Sequence, residues 1–401
     1  MKKQSIYKYI LSEMTEGNIK KDVASALIKD IKSLDTQMMK RDIAIIGMAV
    51  NLPFAKSLEE YWNVIINKIN CIQTFPKKRA DDIKEYFSYT GELAGELKFL
   101  DGAFLEEIDK FDYSLFRITP REAALMSPSQ RLFMQIAYEA VEDAGYSGTK
   151  IKHSNTGVFV GYAENLKDMY QKMIYDTNPD KVAESLASNL GAIVPSRVSY
   201  YFDLDGPAVL VDTACSSSLV ATHLACKALQ NGECDQAIVG GIKLHTVPID
   251  ADFAKMGIES SDGNTRAFDN KSDGAGIGEG AIAIMLKPLV AAQKDRDHIY
   301  AVIKGSAVNQ DGKSMGITAP NPESQMKVIK KCWKDAEIKP QDISYIETHG
   351  TGTVLGDPIE INSIKKAFES YGTNLQSCGI GAVKSNIGHL YECSGLASLV
   401  K

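Results

Sequence analysis

Residues 208–232 read AVLVDTACSSSLVATHLACKALQNG. An apolar run leads into an Asp-Thr-Ala-Cys turn, and small and apolar residues then continue at helical spacing until Gly232. A short continuous apolar run suits a strand buried on both faces, and a strand–turn–helix step exposes the residue at the turn. That residue is Cys215. Unpaired backbone N–H groups and the positive dipole end of the helix stand beside its sulfur, which predicts a lowered thiol pKa and a nucleophilic thiolate. Ala214, Ser216 and Ser217 leave room for a reacting group to approach. The competing reading is a buried structural cysteine, because most free cysteines are small core residues.

Runs of the same kind recur on either side: DIAIIGMAV (42–50), TGVFVG (156–161), QAIVGG (236–241), GAIAIML (280–286), AVIKGSAV (301–308) and ISYIETH (343–349). Between several of them lie helical patterns over 128–145, 217–232 and 323–337. Strands alternating with helices predict an α/β layered architecture. Before Asp42 the character differs. Ile6, Ile10, Leu11 and Met14, then Val23, Ala26, Leu27, Ile31 and Leu34, fall at helical spacing in a Lys-rich segment, which reads as one or two amphipathic helices with a docking or a solvated linker role.

The 401 residues, 44% hydrophobic and 24% charged, are ordinary for a globular chain that buries a sizeable core. A formal net charge of −6 argues against a nucleic-acid binder, whose affinity comes from clustered Lys and Arg. No apolar run approaches the roughly 18–20 residues needed to cross a bilayer, and the N-terminus MKKQSIYKYILSEM is charged where a secretory signal has its apolar core. No membrane association and a cytoplasmic location are therefore expected. The seven cysteines are scattered, without a CxxC pair or metal-like His/Cys spacing, so neither disulfides nor a bound metal is expected.

Two histidines join Cys215 as candidates. His349 stands in ETHGTGTVLGDPIE at the end of a predicted strand, in a Gly/Thr-rich turn where Thr351 and Thr353 offer hydroxyls. His389 stands in VKSNIGHL, five residues after Lys384. Taken singly, each is as readily a structural histidine as a catalytic one. Taken together, TACSSS (213–218), HGTGT (349–353) and KSNIGH (384–389), with successive candidates 134 and 40 positions apart, resemble the β-ketoacyl synthase family. The similarity runs from about Asp42 to the last residue and is closest to the ketosynthases of modular polyketide synthases. The wording GIESSDGNTRAFD (257–269) resembles assembly lines that use a separate acyltransferase.

That resemblance implies a thiolase-like fold, two similar α/β halves in αβαβα layers, and a homodimer with residues 205–213 near the interface. It divides the chain into N-terminal linker or docking helices (1–38), an N-terminal half (39–290) carrying Cys215 and a C-terminal half (291–401) carrying His349 and His389. Cys215 would take an acyl chain from the phosphopantetheine arm of an acyl carrier protein. His349 and His389 would hold the thioester oxygen of a malonyl-type extender as it loses carbon dioxide, and the carbanion would attack the acyl-Cys215 thioester. Lys384 would order the site through a carboxylate, with Glu360 as the candidate, and Thr351 and Thr353 would contact the pantetheine. No tightly bound cofactor is implied; the partners are carrier protein and neighbouring synthase modules.

Departures from the family pattern qualify this. The family continues beyond the position of Lys401 to a Gly-Phe-Gly-Gly-Thr-Asn-like turn that supplies an oxyanion-hole N–H, so the resemblance implies a C-terminally incomplete chain lacking the last part of the second half. Ser127 and Ser129 stand where the family reads MDPQ, and Tyr138 where Trp is common; packing effects are expected. The alternatives are a non-elongating, acyl-transferring ketosynthase, which often lacks the first histidine, and an inert interaction module. A Cys-His-Asp hydrolase fits two histidines in Gly-rich turns poorly.

Overall fold

The computed structural model describes residues 3–39, 42–91, 97–163, 170–248, 258–372 and 376–401; Gly257 and the side chains of Ile31 and Leu34 lie outside the described residues. Strand β1 (Ile43–Asn51), β3 (Thr156–Gly161), β4 (Ala208–Val211), β5 (Gln236–Lys243), β7 (Gly280–Pro288) and β8 (Ala301–Ile303) form one sheet in the order β4-β3-β5-β7-β1-β8. The neighbours β4, β3 and β5 are parallel, whereas β7 runs antiparallel to both β5 and β1. Two small parallel ladders stand apart: β2 (Gly102–Ala103) with β6 (Ile277–Gly278), and β9 (Tyr345–Glu347) with β10 (Gly379–Gly381).

Side chains on a strand alternate between faces, and here each face has its own core. Val158, Val160, Ile238, Ile242, Ala283 and Met285 meet Phe133, Ile136 and Ala140 of the helix Pro128–Asp143. The intervening Phe159, Val239, Ile282, Ile284 and Leu286 meet Ala221, Ala225 and Leu229 of the helix Ser217–Asn231. In β1 the parity inverts: Ala44 and Ile46 face the first core and Met48 and Val50 the second, because a bulge between Ile45 and Gly47 inserts a residue. A Cβ on Gly47 would lie 2.4 Å from the carbonyl oxygen of Ala140, so the missing side chain at the bulge lets the helix Pro128–Asp143 rest directly on the strand.

The helical patterns over 128–145, 217–232 and 323–337 correspond to helices Pro128–Asp143, Ser217–Asn231 and Pro322–Asp335. Ser127 caps the first by accepting the Gln130 N–H at 3.3 Å, and Tyr138 packs among Phe116, Tyr201 and Phe202. The N-terminal segment forms two helices, Lys3–Thr15 and Lys21–Met39, that pack on each other; Ile10 is buried while Leu11, Val23 and Leu27 are exposed. Two expectations fail at sheet edges. AVIKGSAV forms a strand only over 301–303, because Ile303 pairs with Ile43, the first residue of β1. The run at 208–212 is not buried on both faces, since β4 is an edge strand with Ala208 exposed.

A smaller core lies between helices Pro322–Asp335 and Gly356–Glu369, where Trp333, Ile364, Ala367 and Phe368 pack with Ile346 of β9. Among the described residues no helix is long and apolar enough to cross a membrane, and no cluster of His, Cys, Asp or Glu has the makings of a metal site. All seven cysteines are free.

Between β6 and β7 the fully buried carboxylate of Glu279 takes two bonds from Arg79, at 2.7 and 2.8 Å, and the backbone N–H groups of Leu105 and His245 at 2.9 and 2.7 Å. It thereby ties the helix Lys77–Thr90 to the sheet. Removing one partner of such a pair strands the other charge in apolar surroundings, so Glu279→Ala is expected to cost about 3–5 kcal/mol in denaturant unfolding.

Candidate active site

Between the end of β4 and the helix Ser217–Asn231 the chain turns sharply, and Ala214 takes φ +52°, a left-handed conformation that costs a residue with a Cβ. Local bonds hold the turn. Asp212 accepts the Ala214 N–H at 3.1 Å, while Ser217 Oγ accepts the Thr213 N–H at 2.9 Å and donates to the Ala214 carbonyl at 2.6 Å. The helix start lies against β3, where a Cβ on Gly161 would come within 2.5 Å of the Ser218 nitrogen.

Cys215 is half-buried at this turn, and its thiol pKa is raised. Loss of hydration is the main cause and the Glu392 carboxylate adds to it; Lys384, the cysteine's own N–H and Lys243 pull the other way. The lowering expected from the helix terminus is thus outweighed by desolvation of the anion. Cys215 rests as a thiol, with two ammonium groups nearby to stabilise a thiolate when one forms.

His349 follows β9. Its N–H and that of Gly350 donate to the two oxygens of Glu360 at 2.6 and 2.9 Å, so a carboxylate on the helix Gly356–Glu369 fixes the histidine's backbone. Asp357 ties the same loop down by accepting the Gly352 and Phe268 N–H groups. The hydroxyls of Thr351 and Thr353 lie 3.1 Å apart, and Thr353 Oγ1 accepts the Gly356 N–H, so both residues brace the turn from the cavity wall. Glu360 is engaged by the loop and acts on Lys384 through space, as the largest charge favouring the ammonium. Burial opposes it, and the Lys384 pKa is lowered.

The backbone of His389 is pinned to β6: its N–H donates to the Gly276 carbonyl at 2.7 Å and its carbonyl accepts the Gly278 N–H at 3.0 Å. The Tyr391 N–H donates to His389 Nδ1 at 3.1 Å, and Ser394 Oγ lies 2.8 Å from the same atom. A backbone N–H can only donate, so Nδ1 holds the lone pair and Nε2 carries the hydrogen. The His349 and His389 rings meet edge to face, with centroids 5.5 Å apart.

Both imidazoles are neutral near pH 7. Burial and then the Lys384 cation hold His389 well below its usual range, with smaller contributions from His349, Lys243 and His245. His349 is lowered by the same two leading causes, though its ring opens to the cavity, so hydration is lost only in part.

Cys215, His349, His389, Thr351, Thr353 and Glu360 all line one cavity of about 1070 Å³, walled on its apolar side by Val328, Ile329, Trp333, Ile346 and Ile364. Lys384 is buried nearby, close enough to act on the sulfur and both imidazoles. Sequence reading missed Tyr391, which lines the cavity and stacks on His389, and the buried Lys243–Glu392 pair at 3.2 Å. Tyr391 and Glu392 follow the KSNIGH motif within three residues, and that proximity was the available signal.

Models of the β-ketoacyl synthase N-terminal and C-terminal domains match residues 40–292 and 300–401. Among curated proteins the chain is 42% identical over 369 residues to polyketide synthase PksN and 40% identical over 385 residues to PksL, both of Bacillus subtilis (strain 168). These alignments take in 90% and 93% of the chain but only 7% and 8% of those proteins. Among solved structures it is similar to the ketosynthase from module 6 of the bacillaene synthase of Bacillus subtilis 168, with 40% identity and a TM-score of 0.77. It is also similar to ketosynthase twelve of the bacillaene polyketide synthase of Bacillus amyloliquefaciens, with 34% identity and a TM-score of 0.79. The chain covers 60% and 62% of those two structures, and 90% of its own length is matched in each.

The neutral state of His389 has a consequence for stability. Below the ordinary imidazole pKa of 6.5 the unfolded chain binds a proton at this residue and the folded chain does not, so stability falls with pH by about 1.4 kcal/mol per unit for this group. Thermal melting from pH 7.5 to pH 5 is expected to show a smaller acid loss in His389→Gln than in the unaltered chain.

Proposed function

The chain belongs to the β-ketoacyl synthase family, as a ketosynthase of the polyketide synthase kind with the thiolase-like fold, and from that premise we propose that it carries out a decarboxylative Claisen condensation on Cys215. The acyl group of a carrier-protein thioester passes to the Cys215 sulfur, and the thiol proton leaves with the carrier's phosphopantetheine sulfur. A malonyl-type extender on a second carrier protein then loses carbon dioxide, and the electron pair left behind is held as an enolate. The enolate carbon attacks the acyl carbonyl, forming the new carbon–carbon bond and expelling Cys215 as a thiolate, which takes up a proton. Acyl carrier protein and neighbouring synthase modules are the partners this implies, and the GIESSDGNTRAFD wording supports an assembly line with a separate acyltransferase.

The observation that carries the reading is the convergence of one half-buried sulfur and two neutral imidazoles on a single cavity. Decarboxylation needs charge stabilisation at the thioester oxygen, and a neutral imidazole N–H supplies it without giving up its proton. With Nδ1 of His389 already accepting, Nε2 is the donor. The thiolate expelled in the last step is the species that Lys384 and Lys243 favour. Thr351 and Thr353 stand on the wall where a pantetheine arm would lie. His349 supports elongation over simple acyl transfer.

Incubation with an acyl thioester is expected to add one acyl group, found by mass spectrometry on Cys215 and absent in Cys215→Ala. His349→Ala and His389→Ala are expected to keep that adduct while release of carbon dioxide from malonyl carrier protein falls about 10²–10³-fold. Adduct formation without carbon dioxide release from the unaltered chain would indicate an acyl-transferring enzyme, and no adduct an inert module.

A homodimer through the β4 edge accompanies this reading. An edge strand offers unpaired backbone groups to a second copy, and the exposed Tyr200 and Leu219 sit on the helices that contact β4. Light scattering is expected to give twice the chain mass, and the combined Tyr200→Glu and Leu219→Glu variant that of one chain.

A further inference from the structure

Tyr391 is the one aromatic residue in direct stacking contact with either candidate imidazole among the described residues. Its ring lies parallel to His389, at 2° between planes and 4.7 Å between centroids, and it lines the same cavity as Cys215. The residue takes φ +43°, a conformation that is an outlier for a bulky side chain and persists only where the surroundings enforce it. The Lys243 ammonium sits 4.9 Å from the ring centroid and is itself fixed by the buried Glu392, and the His245 ring packs edge-on at 5.5 Å. The strained backbone also aims the Tyr391 N–H at His389 Nδ1.

The torsion that turns an imidazole about its Cβ–Cγ bond is broad, so hydrogen bonds at Nδ1 alone leave the ring plane free to rock. A parallel ring on one face removes that freedom. We propose that Tyr391 is a positioning residue that holds the plane of the His389 ring, by stacking on it while its backbone N–H fixes the tautomer, so that Nε2–H stays directed at the extender's thioester oxygen. The inference rests on the condensing role proposed above. It assigns Tyr391 to the decarboxylation half of the reaction and leaves acylation of Cys215 independent of it.

The full chain with malonyl carrier protein and an acyl thioester tests this. In Tyr391→Leu, release of carbon dioxide should fall about tenfold or more, the scale expected when a reacting group is misaligned, while Cys215 acylation continues. Tyr391→Phe should rescue release, because it keeps the stacked ring. Tyr391→Gly separates positioning from folding: glycine adopts a positive φ without strain, so it removes the ring without a backbone penalty and should lose release as Leu does. A readout independent of activity is the His389 ring proton resonance in selectively labelled protein, shifted upfield by the stacked ring in the unaltered chain and in Tyr391→Phe and returned downfield in Tyr391→Gly. Carbon dioxide release unchanged in the Leu and Gly variants, acylation and release falling together, or no resonance shift would each overturn the proposal. If the unaltered chain releases no carbon dioxide, the condensing reading fails instead, and the resonance still decides whether the stack holds the ring.

Discussion

One buried cation, the ammonium of Lys384, acts on the Cys215 sulfur and on the imidazoles of His349 and His389. Only 3% exposed, it adds to burial in keeping His349 and His389 neutral, and it opposes burial at Cys215, where it favours the thiolate. A positive charge taken from water is expensive unless carboxylates answer it. Glu360, Glu347 and Asp357 answer it through space, and each also serves a loop. Glu360 takes the His349 and Gly350 N–H groups, Asp357 those of Gly352 and Phe268, and Glu347 that of Val383 at 2.6 Å. The carboxylates that make the buried lysine tolerable are therefore the ones that shape the loops carrying the histidines.

This shared use couples the fold to the chemistry. The turn before Cys215 and the backbone of Tyr391 both hold a side-chain-bearing residue at positive φ, and both abut the cavity. Strain of this kind survives where packing and hydrogen bonds over-determine the geometry: Asp212 and Ser217 hold the turn at Ala214, and His389, His245 and Lys243 surround Tyr391. Glu279 extends the same logic outward, joining the helix Lys77–Thr90 to the turn between β6 and β7, one residue beyond the strand on which His389 is pinned.

Much of the scaffold was legible in the sequence because its signals are local. Continuous apolar runs marked all six strands of the main sheet, and Gly232 marked a helix end where it takes φ +75°. The three motifs marked the groups that converge. What stayed hidden depended on partners distant in the chain. AVIKGSAV reads as an eight-residue strand, but β1 has no residue left to pair beyond Ile303. The sign of the Cys215 shift depends on burial and on the charge of the Glu392 carboxylate, which no local pattern reports. Lys243 and Glu392 meet across 149 positions, and the stack of Tyr391 on His389 depends on a backbone conformation that a tyrosine does not advertise.

The convergence of the thiol and the two imidazoles is tested most directly by a crystal structure of the chain bound to a malonyl thioester analogue that cannot lose carbon dioxide. The analogue's thioester oxygen should lie about 2.7–3.1 Å from a ring nitrogen of both His349 and His389, with its reacting carbon turned toward the Cys215 sulfur. An oxygen held elsewhere, with the imidazoles bonded only to protein, would contradict it.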